Sequence, residues 1–317
     1  MVTLLTIGET MGVASTSPGT PLSTATTLRL STAGAESTVA IGVARLGHTA
    51  AWVGTVGADE IGRRVLRDLN AEGVDTRFVR SVPEASTGFM LRDHRTADFV
   101  AVSYYRRRLA GTHLAPRDVD AAFAGLGHID VLHLTGITAI LSPTCRAAVQ
   151  RAVQLAKDRG TTVSFDVNYR RSLASPEEAS AGAREVLPDT DILFVGHDET
   201  HLLTGEPDPE SAARLLTSDG PTEVVVKHGA DGACAATAAG EIFHAKALAV
   251  TVADVIGAGD SFVAGYLAAR AYHLGIVDRL AWAGVCAACT VGTHGDWEGL
   301  PSRTEIERRT QIGLTLR

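Results

Sequence analysis

The sequence is poor in aromatic residues, at 5% of 317 positions, and holds only four cysteines. A chain so low in aromatics yet rich in Ala, Gly and Val favours a sheet covered by helices over a β-sandwich. Cys286 and Cys289 form C-A-A-C, a spacing open to a redox or metal pair. They lie in an Ala-rich helical pattern with no second pair at zinc spacing, so buried packing is the expected role. Cys145 and Cys234 are isolated. No apolar run approaches a membrane span, and residues 1–9 lack the basic-then-apolar layout of a signal peptide, so no membrane contact and a cytoplasmic location are expected. Positive charge is not in excess: the net charge is −7, which argues against a broad nucleic-acid surface. Internal repeats and low-complexity linkers are absent as well.

Strand-like and helix-like segments alternate along the chain. Residues 4–8 read as a buried first strand ending in Gly-Glu, and residues 15–31, rich in Thr, Ser, Pro and Gly, as loops with weak strands. Residues 36–46 carry helical periodicity, with Gly47 as the stop. A strand over 51–56 and a helix over 60–70, closing at Gly73, continue the alternation of a parallel sheet. Residues 87–105 break that rhythm. Two strand-like runs there flank a polar stretch at 94–98, a hairpin signal for a small separate β-layer. After Pro116 the alternation resumes, with strands over 131–134, 162–165, 191–195 and 223–227 and helices over 143–158, 258–273 and 279–291. The length suits one large α/β domain with a small appendage, or two domains.

The stretch 254–267, D-V-I-G-A-G-D-S-F-V-A-G-Y-L, carries the strongest chemical signal. Gly257, Ala258 and Gly259 allow a tight turn whose N–H groups converge, and a helical pattern opens directly after it. Such a turn favours an anion, through unpaired N–H groups and the helix dipole. Asp260, in the first helical turn, would be held as an anion and suits a general base. Glycines for packing and an aspartate for the dipole remain an equally available reading. No Gly-Lys-Ser/Thr follows, so this is no Walker A loop, and Phe262 stands where a dinucleotide fingerprint needs its third glycine.

Other constellations are open in the same way. S-F-D-V-N-Y-R, residues 164–170, places Asp166, Asn168 and Arg170 on alternate positions, one side of a strand's carboxyl end, where open α/β sheets bind ligands. Arg170 can grip a carboxylate or phosphate through two parallel hydrogen bonds. Y-Y-R-R-R, residues 104–108, is the densest positive run, and solvation alone accounts for many such runs. H-D-E-T-H, residues 197–201, spaces two histidines by a helical turn, but its glutamate is misplaced for H-E-x-x-H. V-V-V-K-H-G-A-D-G-A, residues 224–233, reads as strand, glycine turn, strand.

Position for position, 254–267 resembles the C-terminal signature of ribokinase-type (phosphofructokinase-B family) sugar kinases. The resemblance runs from about residue 5 to about residue 301. It implies a ribokinase-like three-layer α/β/α sandwich over residues 1–317, with a mostly parallel central sheet and a discontinuous β-lid from residues 11–31 and 87–107. It also implies that Asp260 activates a sugar hydroxyl while Gly257, Ala258 and Gly259 hold the transferring phosphoryl charge. A33-G34-A35-E36 is similar to the sugar-binding signature, with Gly34 on substrate hydroxyls and Thr38 where the family usually has Asn. V-L-H-L-T-G-I-T (residues 131–138, with Ile137), D-V-N-Y-R and Y-Y-R-R-R are similar to 2-keto-3-deoxygluconate kinases, where the residues matching Tyr104, Arg106 and Arg170 meet the substrate. Met90 stands where those kinases often carry a tyrosine. For ATP and Mg²⁺ the resemblance implies Asp166, Asn168, Glu199 (on the metal through water), Lys227, Gly229 and Gly232. Gly196 and Gly284 replace polar residues common in the family. A monovalent cation and a homo-oligomer are further expectations by analogy. Another sugar as substrate (fructose, a deoxy-inositol catabolite, a nucleoside) and a non-catalytic sugar sensor stay open.

Overall fold

Leu4 packs to one side of the first strand while Leu5 and Ile7 pack to the other, the alternation of a sheet buried on both faces. The computed structural model describes residues 2–96 and 100–315. The strands are β1 (Thr3–Ile7), β2 (Met11–Ser15), β3 (Arg29–Ala33), β4 (Thr49–Val53), β5 (Thr55–Gly57), β6 (Arg80–Val82), β7 (Phe89–His94) and β8 (Val100–Tyr105). They continue as β9 (Val131–Thr135), β10 (Thr162–Asp166), β11 (Ile192–Gly196), β12 (Glu223–Lys227), β13 (Ala233–Thr237) and β14 (Ile242–Ala245). The main sheet has the order β14-β13-β12-β11-β10-β9-β1-β4. From β4 to β12 all pairings are parallel; β13 and β14 close the edge antiparallel. The carboxyl ends of six strands therefore lie along one rim.

Helices cover both faces. On one side are α3 (Pro116–Gly125), α4 (Gly136–Leu141), α5 (Pro143–Arg159), α6 (Pro176–Val186), α7 (His197–Thr204) and α8 (Pro209–Thr217), which share a core with Leu5, Val53, Phe165 and Val226. On the other are α1 (Ala35–Arg45), α2 (Glu60–Ala71), α9 (Ala258–Ala271), α10 (Ile276–Val291) and α11 (Arg303–Thr315), packed on Trp52, Phe194 and Val225. Each fully buried Leu, Ile or Phe contributes roughly 1.5–3 kcal/mol. The result is a three-layer α/β/α sandwich. Cys286 faces Gly265 across the α9–α10 contact, where a Cβ on the glycine would lie 2.8 Å from the sulfur, and all four cysteines are free thiols, consistent with packing.

A second sheet, β3-β2-β7-β8, stands apart. Its β7–β8 hairpin is antiparallel, with Met90 opposite Tyr104. The turn expected at 94–98 lies partly outside the described residues. Met11, Val13, Ala33 and Met90 form the sheet's own small core, whereas Leu30, Tyr104 and Tyr105 are exposed. Most boundaries shift by one to three residues from the sequence reading, α10 for instance beginning at Ile276 rather than 279, and two further differences concern the strands near the second sheet. The run 51–56 is split at Gly54 into β4 and β5, and a Cβ at 54 would lie 2.2 Å from the Trp52 ring, so the position requires glycine. The weak strand near residue 31 extends to Ala33 and pairs with Met11.

Candidate active site

The rim of the main sheet collects Glu9, Ile137, Asp166, Asn168, Glu199 and Lys227 at or just beyond strand ends, as open parallel sheets dispose their ligand sites. Asp166 is 1% exposed and its Oδ2 accepts from Lys227 Nζ at 2.6 Å. Its Oδ1 is buried without a hydrogen-bond partner. Burial alone would lower the Lys227 ammonium, but the carboxylates of Asp166 and Glu199 outweigh it and raise its pKa.

Period-two geometry does not continue past Asp166. β10 ends there and Asn168 takes a left-handed backbone, φ 43°, a conformation asparagine tolerates better than most residues. That turn directs Asn168 Nδ2 to Asp260 Oδ1 at 3.0 Å. Arg170, exposed, lies close enough for its charge to act on Asp260. The three polar residues meet the site by a turn rather than by sharing a strand face.

Asp260 sits in the first turn of α9, after Gly257 at φ 78°. Only glycine fits at 257: the conformation is left-handed, and a Cβ would lie 2.3 Å from the Asp296 carbonyl oxygen. The N–H groups of Gly259 and Asp260 have no backbone partner among the described residues. A Cβ on Gly259 would stand 3.6 Å from Lys227 Nζ, so the lysine lies beside the turn. Burial pushes Asp260 up to about 7, with Arg170 and Lys227 pulling it down and Asp166 and Asp296 adding to the rise. The helix dipole expected to keep it a ready anion is outweighed by desolvation. A carboxyl near neutral pKa is well matched to proton abstraction.

A cavity of about 1280 Å³ opens beside this cluster, lined by Tyr169, Gly196, Glu199, Lys227 and Gly229 among others. Gly229 and Gly232 occupy the turn between β12 and β13. Glu199 is less free than the sequence suggests: its carboxylate accepts from the Gly196 and Tyr169 N–H groups at 2.6 and 2.7 Å. His197 and His201 join no group of three metal-ligand side chains among the described residues. Gly284, in α10, has nothing near its missing Cβ.

The sugar-side residues are placed differently from one another. A Cβ on Gly34 would meet the Glu9 carbonyl at 2.3 Å, and nearby Thr38 is fully buried with Oγ1 unpartnered. Ile137 is buried in α4. Met90 belongs to the small core of the second sheet, enclosed by apolar side chains and the Arg92 guanidinium, 3.5 Å from its sulfur. Arg106 is buried and its Nε and Nη2 reach Glu9 Oε2 at 2.8 and 2.5 Å, with Cζ 5.9 Å from the Tyr104 ring centre. Arg106 is thus anchored on Glu9, while Arg170 donates to the Tyr169 carbonyl at 3.2 Å and acts through its charge on Asp260. A second cavity, about 640 Å³, lies under Tyr104, Arg106 and Leu173. It shares Arg107, Ser172 and Leu173 with the first. Sequence reasoning missed Glu9 and Glu36. Glu36, 1% exposed, accepts from Thr135 and Thr138 at 2.6 and 2.5 Å, fixing the segment around Ile137. The Gly8-Glu9 pair at the first strand's end was the available signal.

A parallel sheet whose rim carries a buried carboxyl beside an anion-favouring turn and a lysine defines a class of group-transfer enzyme. Comparison with known proteins fixes it: residues 1–303 match the pfkB family of carbohydrate kinases, and the chain belongs to that family. The chain is 34% identical to a 2-dehydro-3-deoxygluconokinase of Bacillus subtilis (strain 168), covering 95% of this chain and 93% of that protein. The PfkB protein from Polaromonas sp. JS666 superposes with a TM-score of 0.86 at 32% identity, covering 97% of this chain and 99% of its own. An E. coli protein described as Ribokinase II, in complex with ATP and Mg²⁺, gives 0.89 at 28% identity, covering 98% and 100%.

Proposed function

We propose that this carbohydrate kinase moves the γ-phosphoryl of ATP to a primary hydroxyl of a sugar acid, 2-keto-3-deoxygluconate, giving its 6-phosphate. The observation that carries the reading is Asp260, buried at the mouth of the α9 turn, held by Asn168 and brought to a pKa of about 7. As carboxylate, Asp260 takes the hydroxyl proton while the oxygen bonds to phosphorus and the bond to the β-phosphate oxygen breaks. The N–H groups of the Gly257, Ala258 and Gly259 turn and the Lys227 ammonium face the charge on the transferring group. Mg²⁺, when bound, neutralises phosphate oxygens. The residues present suit it, since Asp166 keeps one buried oxygen free and Glu199 lines the cavity to orient metal-bound water. Asn168, Gly229 and Gly232 border the nucleotide, and Gly34, Thr38, Ile137, Tyr104, Arg106 and Arg170 face the sugar acid.

The β3-β2-β7-β8 sheet acts as a lid that excludes water and suppresses ATP hydrolysis. Its exposed Tyr105 and Leu30, on the face opposite Tyr104, suit pairing in a homo-oligomer. ATP as donor supports a cytoplasmic location, and no helix among the described residues is long and apolar enough to cross a membrane. A monovalent cation requirement is tested by exchanging K⁺ for Na⁺. The substrate assignment is tested by coupled ADP release on a panel of sugars and sugar acids with ATP and Mg²⁺. The highest kcat/KM is expected for 2-keto-3-deoxygluconate, and alanine at both Arg106 and Arg170 should raise its KM well over tenfold. An unchanged KM in that double variant, or preference for a neutral sugar, removes the acid assignment.

A further inference from the structure

Glu9 stands where the second sheet joins the main one, and phosphoryl transfer gives it no role. It leads from β1 into β2, while Gly34 follows β3, Gly88 precedes β7 and Arg106 follows β8. All four crossings meet this one residue. A Cβ on Gly34 would lie 2.3 Å from the Glu9 carbonyl oxygen, and one on Gly88 2.8 Å from Oε1. Arg106 brings Nε and Nη2 to Oε2 at 2.8 and 2.5 Å. A Cβ on Gly111 would lie 2.3 Å from Oε1, so glycines crowd the carboxylate and leave it no room to turn from the guanidinium.

The way the two side chains meet leaves one part of Arg106 free. A guanidinium offers two bidentate edges, Nε with Nη2 and Nη1 with Nη2. Glu9 takes the first. Nη1 has no partner among the described residues, and Arg106 lines the cavity of about 640 Å³. The free edge can grip a carboxylate with two parallel hydrogen bonds. Charge works against that grip. Glu9 already neutralises the guanidinium, and the buried Glu36 also feels the Arg106 charge. Burial pushes the Glu9 carboxyl up while Arg106 pulls it down, and an oxygen shared by two guanidinium nitrogens suits the ionised form. An incoming anion therefore meets a cation that is already paired and gains less from it.

We propose that Glu9 is a positioning residue for Arg106 and sets how strongly the kinase prefers an acidic acceptor. Its reach aims the free guanidinium edge, and its charge tempers the pull of that edge on a carboxylate. The role rests on the reading of Arg106 as a partner of the sugar acid. Its two parts are chemically separable. Glu9→Gln keeps the length and a carbonyl for the Arg106 N–H groups but carries no charge. Glu9→Asp keeps the charge and loses a methylene of reach.

Coupled ADP release on 2-keto-3-deoxygluconate and on its uncharged amide gives the ratio of kcat/KM for acid over amide. In Glu9→Gln the buried cation loses its counter-charge, so the KM for the acid should fall about tenfold while those for the amide and ATP stay within about twofold. In Glu9→Asp the KM for the acid should instead rise about tenfold. A residue that only held the fold would move both variants the same way, and acid and amide alike. Circular dichroism checks folding. Should Glu9→Gln fail to fold, Glu9→Asp and Gly111→Ala decide, since a Cβ at 111 displaces Oε1 and should likewise raise the KM for the acid alone. A ratio unmoved by these variants, or moved in the same direction by Glu9→Gln and Glu9→Asp, overturns the role and leaves the acid reading in place. A wild type that prefers the amide or a neutral sugar overturns the acid reading itself, and the role of Glu9 with it.

Discussion

Asp260→Asn should stabilise the fold at neutral and alkaline pH, an effect opposite to that of most buried polar substitutions. Burial raises the Asp260 carboxyl from 3.8 to about 7. Below about pH 4 the folded and unfolded chains both carry the proton, and the raised value has no consequence for stability. Between about pH 4 and 7 the unfolded chain ionises first, so the wild type loses stability as pH rises. Above about 7 the penalty is constant; at ~1.4 kcal/mol per pH unit it amounts to roughly 4 kcal/mol. Asparagine ionises at no pH and keeps a carbonyl for the Asn168 N–H that now meets Asp260 at 3.0 Å. Urea unfolding of both proteins at about pH 4 and about pH 8 measures the effect. The variant's advantage should grow by up to roughly 4 kcal/mol between the two. An advantage that stays flat with pH, or shrinks, would refute the claim that desolvation dominates this carboxyl.

The same geometry sets further expectations. Lys227→Met leaves Asp166 buried without its cation and should destabilise the protein by about 3–5 kcal/mol, partly restored by Asp166→Asn in the same chain; urea midpoints of the three variants check this. Gly257→Ala forces a Cβ to within 2.3 Å of the Asp296 carbonyl at φ 78°, so turnover should fall by orders of magnitude even if the variant folds, as steady-state ADP release would show. For the wild type, kcat/KM should climb about tenfold per pH unit on the acid side of about 7 and level above it, because only the deprotonated Asp260 accepts the hydroxyl proton. A profile flat through neutrality would count against that carboxyl.

Local patterns carried much of the fold. β12 coincides with residues 223–227, and α5 differs from the expected helix by a single residue at its end. The hairpin in 87–105 was readable because two apolar runs lacked any helical spacing between them. The α6 helix was passed over although S-P-E-E announced it: Ser175 and Glu178 form a reciprocal cap around Pro176. What the sequence hid is chiefly what depends on burial across long separations. The Glu9–Arg106 ion pair joins positions 97 residues apart, and nothing local marks it. Asp260 was legible as a helix-start carboxylate, but its raised pKa comes from desolvation that only the packed structure reveals. Likewise the Asn168 contact needs a left-handed turn that strand periodicity cannot show.

Turnover of Asp260→Asn with saturating ATP, Mg²⁺ and 2-keto-3-deoxygluconate, followed by coupled ADP release beside the wild type, tests the general-base assignment most directly. The expected result is a fall in kcat of about 10²–10⁴, with the KM for ATP little changed and the fold intact by circular dichroism. A folded variant that keeps kcat within a few-fold of wild type contradicts it, and the proton would then have to leave by another route.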